Sequence, residues 1–415
     1  MNIEWRILMN KFKIPKIRFM NFNNKWKYIM LGEISNSIEY GLNASAKDFD
    51  GIHKYLRITD IDDSSRLFLT DKLSSPDVNF TDEDYENYKL QKNDLLFTRT
   101  GASVGKTYLY RKSDGEVYYA GFLIRARLRD SFDGNFVFQQ TLTDKYKQFI
   151  EITSQRSGQP GVNGKEYGEW KIGMTSYHEQ SAIGSLFRTL DDLLASYKDN
   201  LTNYQSLKAT MLSKMFPKAG QTVPEIRLDG FEGKWKIKRA DEIFKSVSEK
   251  NRALLPVLSA SQIDGMVLRD EIGIDIKYDE ATLNNYKVVK PGQFVIHLRS
   301  FQGGFALSKL EGITSPAYTI IDFIDKENHL PAFWNSILTS KDFIKRLETV
   351  TYGIRDGKSI SFKDFSSLKF VFPNPEEQQA IGAYFSNLDN LITAHQEKIS
   401  QLETLKKKLL QDMFI

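Results

Sequence analysis

A loop that could hold phosphate is the first chemical feature of this sequence. Residues 100–107 read Thr-Gly-Ala-Ser-Val-Gly-Lys-Thr, close to the P-loop, whose glycines and lysine cradle nucleotide phosphates. The first glycine lies one position too late, and the corresponding residues 299–304 contain no lysine. We therefore expect no nucleotide site here. A basic, glycine-rich loop flanked by Arg99 and Lys106 instead suits the gripping of DNA phosphate.

A row of arginines on a predicted strand is the second candidate. In residues 122–129, period-two alternation places apolar side chains on one face and Arg125, Arg127 and Arg129 on the other. Two interpretations stay open: the row is a solvated outer face, or it contacts DNA phosphates.

Two glycine-containing loops carry side chains suited to base edges. Residues 155–161 read Gln-Arg-Ser-Gly-Gln-Pro-Gly, and Arg156 and Gln159 match the usual partners of guanine and adenine. Ordinary turns contain the same residue types, so that alternative stays open. Residues 352–358 occupy the equivalent place in the second half and supply the candidates Arg355 and Lys358. Residues 299–304, which correspond to the glycine-rich loop at 100–107, supply Arg299 and Gln302.

The sequence lacks the residue groups that catalysis needs. Its five histidines have no metal-ligand spacing. Asn374-Pro375 continues with two glutamates, not with the proline and aromatic residue of an amino-methyltransferase. Glu232-Gly233-Lys234 has no partner for a nuclease site. We expect a non-catalytic chain with no metal and no cofactor of its own.

Composition is that of an ordinary globular protein. The 415 residues are 27% charged and 13% aromatic, with a net charge of +4 that permits a nucleic-acid partner without requiring one. The absence of cysteine excludes disulfides and fits a reducing cytoplasm. Residues 1–14 have no continuous apolar core, so we expect a short tail rather than a signal peptide or membrane helix.

The elements that would position these residues occur twice. The segment Glu179–Phe216 recurs without a gap at Glu377–Phe414, and the opening Pro15–Ile34 recurs at Pro224–Ile243. The middles between these matched ends diverge. We predict six regions: a tail (1–14), a first domain (15–178), a helix (179–216), a linker (217–223), a second domain (224–376) and a second helix (377–415).

The matched ends predict long helices with an apolar seam. Apolar residues recur at steps of four and three, the heptad pattern of a coiled coil. Each helix should have about 38 residues and a length of roughly 57 Å. The central seam residues are Leu190, Leu194, Tyr197 and Leu201 in the first helix and Leu388, Ile392, His395 and Ile399 in the second.

The two seams most simply pair with each other, in antiparallel orientation. The linker of residues 217–223 spans at most about 25 Å, too little to run back along a helix. The alternative, that the seams recruit helices of another protein, stays open. Lys208 and Lys406 occupy one seam position each. Either they set the register or, the interpretation we favour, their ammonium groups extend to water.

The divergent middles combine short strands and helices. Predicted strands are 95–97, 122–128, 294–296 and 318–323, and predicted helices are 144–153, 331–340 and 342–347. The fold class is therefore α/β or α+β: two pseudo-repeated globular domains separated by a pair of long antiparallel coiled-coil helices.

The repeated motifs resemble the specificity subunits of type I restriction–modification enzymes. They are Pro-x-Ile-Arg…Phe…Lys-Trp-Lys at residues 15–27 and 224–236, and Glu-Gln-x-Ala-Ile-Gly…Leu-Asp at 179–191 and 377–389. The likeness extends from Pro15 to Phe414. One departure is that Thr175-Ser176-Tyr177 stands where the second copy has Pro373-Asn374-Pro375, which leaves the first helix start uncertain by a turn.

The resemblance implies that two target-recognition domains each read half of a split sequence in double-stranded DNA. It also implies that the helices form the spacer and dock two methyltransferase subunits, with a restriction/translocase subunit completing the complex. S-adenosylmethionine, ATP and Mg would then belong to partner chains, and no membrane is involved. The alternative is a stand-alone DNA-binding or architectural protein that associates with itself through its coiled coil.

Overall fold

The structure, a computed structural model, describes residues 14–81, 84–261, 264–272, 280–297, 304–348 and 362–415. They divide into two compact units. Unit 1 comprises the chain up to Asp199 together with Gln396–Ile415, and unit 2 comprises Asn200–His395. Each unit therefore contains the opening and middle of one sequence copy and the end of the other copy's long helix.

Unit 1 is built on an antiparallel sheet. Its strands are β1 (Lys27–Met30), β2 (Ser35–Tyr40), β3 (Ala46–Asp48), β4 (Lys54–Leu56), β5 (Ser74–Pro76), β6 (Asp94–Thr98), β7 (Thr107–Leu109), β8 (Val117–Tyr119), β9 (Leu123–Leu128) and β10 (Lys171–Met174). Its helices are α1 (Leu31–Ile34), α2 (Gly134–Gln140), α3 (Asp144–Thr153), α4 (Gly164–Gly168) and the first part of α5 (Tyr177–Lys214). The central sheet has the order β2-β9-β6-β7, and β1-β10, β3-β5 and the parallel pair β4-β8 surround it.

Unit 2 repeats this plan. Its strands are β11 (Lys236–Arg239), β12 (Phe244–Val247), β13 (Leu258–Ser261), β14 (Gly265–Leu268), β15 (Lys287–Val289), β16 (Phe294–Ile296), β17 (Phe305–Leu307), β18 (Gly312–Thr314), β19 (Thr319–Phe323) and β20 (Lys369–Phe372). Its helices are α6 (Ala240–Ile243), α7 (Pro331–Leu338), α8 (Lys341–Glu348), α9 (Phe362–Ser366) and the first part of α10 (Pro375–Asp412). The central order β12-β19-β16-β17 matches that of unit 1, so the two middles share one central sheet topology although their sequences diverge.

The predicted elements are confirmed. Every predicted strand and helix of the middles is present, although Phe122 and Tyr318 lie just before β9 and β19 and α7 ends at Leu338 rather than at residue 340. Helices α5 and α10 have 38 residues each. They begin at equivalent positions, Tyr177 and Pro375. The Asn374 carboxamide caps α10 ahead of Pro375, whereas α5 begins without a proline. The fold class is confirmed: mixed helix and sheet, two repeated units and a pair of long helices.

The long helices pair in antiparallel orientation within each unit. In unit 1, Asp191 pairs with Lys406 and Lys198 with Glu403, so residue numbers rise on one helix as they fall on the other. In unit 2, Lys208 pairs with Asp389, and the rings of Tyr204 and His395 lie 5.1 Å apart. The predicted orientation is confirmed.

The two seam lysines do not simply extend to water. Lys406 Nζ lies 2.5 Å from Asp191 Oδ1, with the two side chains only 16% and 13% exposed. Lys208 makes the equivalent ion pair with Asp389. The interpretation that these ammonium groups are merely solvated is therefore wrong. The repeated aspartates receive them, because a buried ammonium is costly unless it is paired.

The seam itself merges with the two cores. Leu190 and Leu194 are buried in unit 1, where Tyr197 and Ile399 pack against them. Leu388 is buried in unit 2. Leu201, Ile392 and His395 are half-buried.

The repeated Glu-Gln motif joins each opening segment to its helix. Glu179 is fully buried and accepts from Arg18 Nε at 2.6 Å, from Arg18 Nη2 at 2.7 Å and from Trp26 Nε1 at 3.3 Å. Glu377 accepts from Arg227 Nε and Nη2, both at 2.7 Å. The buried carboxylates are thus neutralised by bidentate arginines.

The next residue of the motif, glutamine, secures the loop before the first helix of each middle. Gln180 Oε1 accepts from the Asp133 backbone N–H at 3.1 Å, and Gln378 Oε1 accepts from that of Leu330, also at 3.1 Å. The glycine at 184 is required by close approach, because a Cβ there would lie 2.4 Å from Asp133 Oδ1. The matched residues therefore hold the opening segment, the start of the middle's first helix and the long helix together, and we call this set of matched residues the frame.

Four aromatic rings close each core at the point where the copies exchange helix ends. In unit 1, Phe414 lies 5.5 Å from Phe136, 5.6 Å from Phe187 and 6.3 Å from Trp26 between ring centroids. The equivalent set in unit 2 is Phe216 with Phe333, Phe385 and Trp235. The matched Lys-Trp-Lys and terminal phenylalanine thus meet in one cluster.

Candidate nucleic-acid interface

Three loops of unit 1 that are far apart in sequence lie side by side. The Arg99 N–H donates to the Phe122 carbonyl at 3.1 Å, and the Val162 N–H donates to the Arg99 carbonyl at 2.9 Å. The Gly101 N–H donates to the Pro160 carbonyl at 2.9 Å. Residues 99–101 thus lie between residues 120–122 and residues 159–162, and we call these segments the three-loop surface.

Backbone contacts fix the shape of this surface. The Leu123 N–H donates to the Ala120 carbonyl at 2.9 Å, which closes a tight turn with Gly121 and Phe122 at its centre. A Cβ on Gly41 would lie 2.2 Å from the Ala120 oxygen, so the turn packs directly on the end of β2. The turn therefore holds Phe122 at the surface, where the residue is 61% exposed.

Two predicted residues belong to the three-loop surface. The Arg99 guanidinium lies over the ring of Tyr40, 5.2 Å from its centroid, and its Nη1 donates to the Gly121 carbonyl at 3.4 Å. No ion pair of Arg99 occurs among the described residues. The exposed Gln159 lies close to Gly101, since a Cβ on that glycine would be 2.9 Å from Gln159 Nε2.

Arg156 is exposed on the loop that leads to this surface, but it has an internal partner. Its Nη2 lies 2.6 and 2.7 Å from the two carboxylate oxygens of Glu166, and Nη1 donates to the Thr153 and Gln155 carbonyls. A base contact by Arg156 stays a prediction, and it would require Arg156 to leave Glu166 for the base.

Lys106, the lysine of the near P-loop, turns inward. It is buried, and its Nζ lies 2.9 Å from both the Ile61 carbonyl oxygen and Asp63 Oδ1. Strand β7, not a helix, follows the loop, so a P-loop helix N-terminus is lacking. A phosphate contact by Lys106 would first have to break its pair with Asp63.

The interpretation of the arginine row as a solvated outer face is wrong for Arg125, which is 2% exposed. Arg125 pairs with Glu39 on the neighbouring β2 and donates to the Asn87 carbonyl at 2.6 Å. The reason is a second apolar cluster, including Leu96 and Tyr119, that covers this face of the sheet. The sheet is thus buried on both faces, which simple alternation did not predict.

The next arginine of the row is also engaged. Arg127 Nε and Nη2 lie 2.8 and 2.9 Å from the carboxylate of the buried Asp94, and this pairing raises the pKa of Arg127. DNA contact by Arg125 or Arg127 stays a prediction that competes with these pairs.

Arg129 is exposed, but the structure does not bring it to the three-loop surface. It follows β9 at one end, while Phe122 precedes the strand at the other. Seven residues of extended chain separate them by roughly 23 Å.

The surface positions of Phe122 and Tyr40 were not predicted from the sequence. Phe122 was assigned to the apolar face of the strand, and only the turn geometry shows that it faces outward. Adjacent Gly121 was a signal of that turn. Tyr40 is also exposed, and its hydroxyl accepts from the Gly164 N–H at 3.1 Å.

The four candidates of the second half, Arg299, Gln302, Arg355 and Lys358, lie outside the described residues. Within the described ranges, no group of histidines and carboxylates has the arrangement of a metal site. None of the described helices is long and apolar enough to cross a membrane.

Comparisons with known proteins agree with the repeated motifs. Residues 232–404 match the model of the type I restriction modification DNA specificity domain. The chain is 22% identical over 403 residues to the type I restriction enzyme MjaVIII specificity subunit of Methanocaldococcus jannaschii, covering 93% of this chain and 91% of that protein. It is 23% identical over 412 residues to a putative MjaX specificity subunit of the same organism, covering 93% and 92%.

A solved structure shows the same fold. The crystal structure of a type I restriction–modification S subunit from M. genitalium superposes with a TM-score of 0.64 at 15% identity, covering 97% of this chain and 99% of that one. The resemblance seen in the sequence is thus confirmed: the chain is similar to type I specificity subunits over nearly its whole length, and its residues 232–404 match the model of the type I restriction modification DNA specificity domain.

Proposed function

We propose that this chain is the non-catalytic DNA-recognition subunit of a type I restriction–modification complex. Each unit would read one half of a split target in double-stranded DNA. The observation that carries the proposal is the contrast between frame and middle: the two units share one strand order, while the sequences of their middles diverge. Similarity over nearly the full length of two specificity subunits supports it.

The contacts of the matched residues support a division of labour. Glu179, Gln180 and Gly184 are all used within unit 1, to hold the opening segment and α2. Their equivalents do the same in unit 2. Because the frame is built from these residues, the middles are free to change, and a changed middle would change the half-site that is read.

The long helices offer two equivalent docking surfaces. Leu193, Leu207, Leu391 and Leu405 are identical in the two copies and yet exposed. The other residues that are identical between α5 and α10 are buried or half-buried. Frame contacts therefore account for those residues but not for the leucines, which are suited to contact with a partner protein.

The leucines form two pairs. In unit 1, Leu193 and Leu405 lie between the ion pairs Asp191–Lys406 and Lys198–Glu403. Leu207 and Leu391 have the equivalent location in unit 2. Each leucine directly precedes a seam position, so both members of a pair lie on the same flank of the helices. Two equivalent apolar pairs fit two copies of one partner, which we propose to be the methyltransferase subunit.

The chemistry of the complex would then belong to other chains. S-adenosylmethionine would bind in the methyltransferase subunits, and ATP and Mg in a restriction/translocase subunit. This chain would supply sequence recognition and assembly.

Domain exchange with methylation sequencing tests the proposed function. The chain is co-expressed with the methyltransferase encoded beside it, and residues 28–174 are replaced by the equivalent middle of a related subunit. We expect one half of the methylated sequence to change and the other to stay. A chain that binds DNA alone, self-associates and supports no methylation would contradict the proposal in favour of a stand-alone architectural protein.

Native mass spectrometry tests the docking surfaces. L193D with L405D should remove one methyltransferase subunit, L207D with L391D the other, and the quadruple variant both. Leu254→Asp, at a fully exposed residue outside the two long helices, is the matched control and should leave two methyltransferase subunits bound. Unchanged stoichiometry in the quadruple variant would place docking elsewhere.

A further inference from the structure

Phe122 has an arrangement that core packing does not explain. Its neighbours Leu123 and Ile124 are both fully buried, whereas Phe122 is 61% exposed. The turn cannot easily rotate it inward, because Gly41 and Gly121 bring the backbone of the turn against the end of β2: a Cβ on Gly121 would lie 3.3 Å from the Leu42 oxygen. A large aromatic ring is therefore held in water by a fixed backbone.

The groups around Phe122 have the chemistry of a nucleic-acid contact. Arg99, whose N–H bonds to the Phe122 carbonyl, carries a guanidinium without an ion pair among the described residues. Gln159, on the opposite side of residues 99–101, is an exposed amide. An apolar ring, a cation and an amide on one surface match the three modes by which proteins contact DNA: apolar contact with bases, charge on phosphate and hydrogen bonds to base edges.

The other predicted cations of unit 1 are less suited than Arg99 to contact DNA beside Phe122. Lys106, Arg125, Arg127 and Arg156 each have a carboxylate partner. Arg129 lies at the other end of β9 from Phe122. Of the predicted cations in unit 1, only Arg99 lies on the three-loop surface and has no ion pair with a residue that the structure describes.

We propose that Phe122 is a specificity-determining residue that contacts the bases of the half-site read by unit 1, with Arg99 binding the adjacent phosphate. The assignment rests on the proposed DNA-recognition function and names a residue that carries it. Phenylalanine contacts the thymine methyl group in the major groove or inserts between base steps. In both cases its removal changes sequence preference, whereas loss of a phosphate contact weakens binding to all sequences alike.

The experiment uses the full chain in complex with its methyltransferase. A DNA duplex library, randomised at the recognised positions, is methylated and sequenced, and binding is measured by competition at several salt concentrations. For Phe122→Ala we expect about a tenfold loss of preference at one base pair or step in one half-site, with the other half-site unchanged. For Arg99→Ala we expect weaker binding to every sequence and a salt slope reduced by about 1.

Leu254→Ala is the matched control, because it removes an exposed apolar side chain from unit 2, and it should behave as wild type. An unchanged preference of F122A, or a loss that is uniform over all sequences, would overturn the assignment of Phe122. So would loss of a co-purifying protein without a change in preference, which would make Phe122 a protein contact. A wild-type complex that methylates no sequence would overturn the proposed function as well.

Discussion

At the scale of single residues, each core contains a buried charged group that would be destabilising without a partner. Glu179 and Glu377 are buried, and an unpaired buried carboxylate costs several kcal/mol. Each is neutralised by an arginine from the opening segment, Arg18 or Arg227. This pairing explains why Ile-Arg and Glu-Gln recur together although the paired residues lie 161 positions apart in the first copy and 150 in the second.

Removing one arginine should therefore destabilise one unit. We expect Arg18→Ala to lower the free energy of unfolding of unit 1 by about 3–5 kcal/mol, because Glu179 stays buried without its partner. The double variant with Glu179→Gln should recover part of this loss. Urea denaturation is the measurement, and Arg239→Ala is the control, since its pair with Asp241 is exposed and should contribute little to stability. Equal effects of the two arginines would contradict the argument.

A buried histidine should make unit 2 sensitive to acid. His329 packs against Phe323, Trp334 and Phe372. Burial, and then the charge of Lys238, lowers the pKa of His329 to about 4. Between this value and the ordinary pKa of about 6.5, the unfolded chain binds a proton that the folded chain does not. Stability is therefore lost as pH falls through this window.

The free energy of unfolding of unit 2 should be about 2 kcal/mol lower at about pH 5 than at neutral pH as a result of His329. Denaturation of wild type and His329→Phe at neutral pH and near pH 5 measures it. The variant has no histidine at this position and cannot take up the proton. The difference in free energy of unfolding between the two proteins should therefore change by this amount between the two pH values, while the effects of carboxylates common to both cancel. A difference that does not change with pH would show that His329 titrates normally.

At the scale of elements, the repeated aspartate and lysine fix the register of the helix pair. Asp191 and Lys406 are largely buried where they meet, and the equivalent pair in unit 2 joins Asp389 and Lys208. A shift by one residue would separate both pairs and move the apolar seam as well. Polar groups at seam positions commonly specify register in this way.

Charge exchange tests the register. Lys406→Glu should destabilise unit 1 by about 1–3 kcal/mol, because two carboxylates then face each other in a partly buried site. Adding Asp191→Lys should restore most of the loss. Lys198→Ala removes the more exposed pair with Glu403 and should cost less than about 1 kcal/mol. Thermal unfolding measures all three, and failure of the exchange to rescue would mean that the pair does not set the register.

Helices and strands whose formation depends on local sequence pattern could be predicted from the sequence. Heptad spacing predicted both 38-residue helices, and the linker length predicted their orientation. Burial of Arg125 was not predictable, because the cluster that covers it comes from segments that contact β9 only after folding. The outward position of Phe122 was missed for a related reason: alternation assigned it to β9, whereas backbone contacts with β2 hold it in a turn.

At the scale of the whole molecule, each unit is completed by the far end of the other copy's helix. Phe414, next to the last residue, is buried beside Trp26, Phe136 and Phe187 of unit 1. Phe216 has the equivalent place in unit 2. The C-terminal end of each long helix therefore belongs to the unit that is built from the other sequence copy. This exchange explains why the matched openings and the matched helix ends recur as one set, since they meet in one cluster.

The exchange predicts a crossed pattern of destabilisation. Phe414→Ala should loosen residues 15–178, because removing a buried ring costs about 3–5 kcal/mol where the ring packs, and that place is unit 1. Phe216→Ala, although encoded in the first half, should loosen residues 224–376. Hydrogen exchange followed by mass spectrometry resolves the two regions, and each variant is the matched control for the other. If each substitution instead loosened the copy that precedes it in sequence, the two units would not be completed by exchanged helix ends.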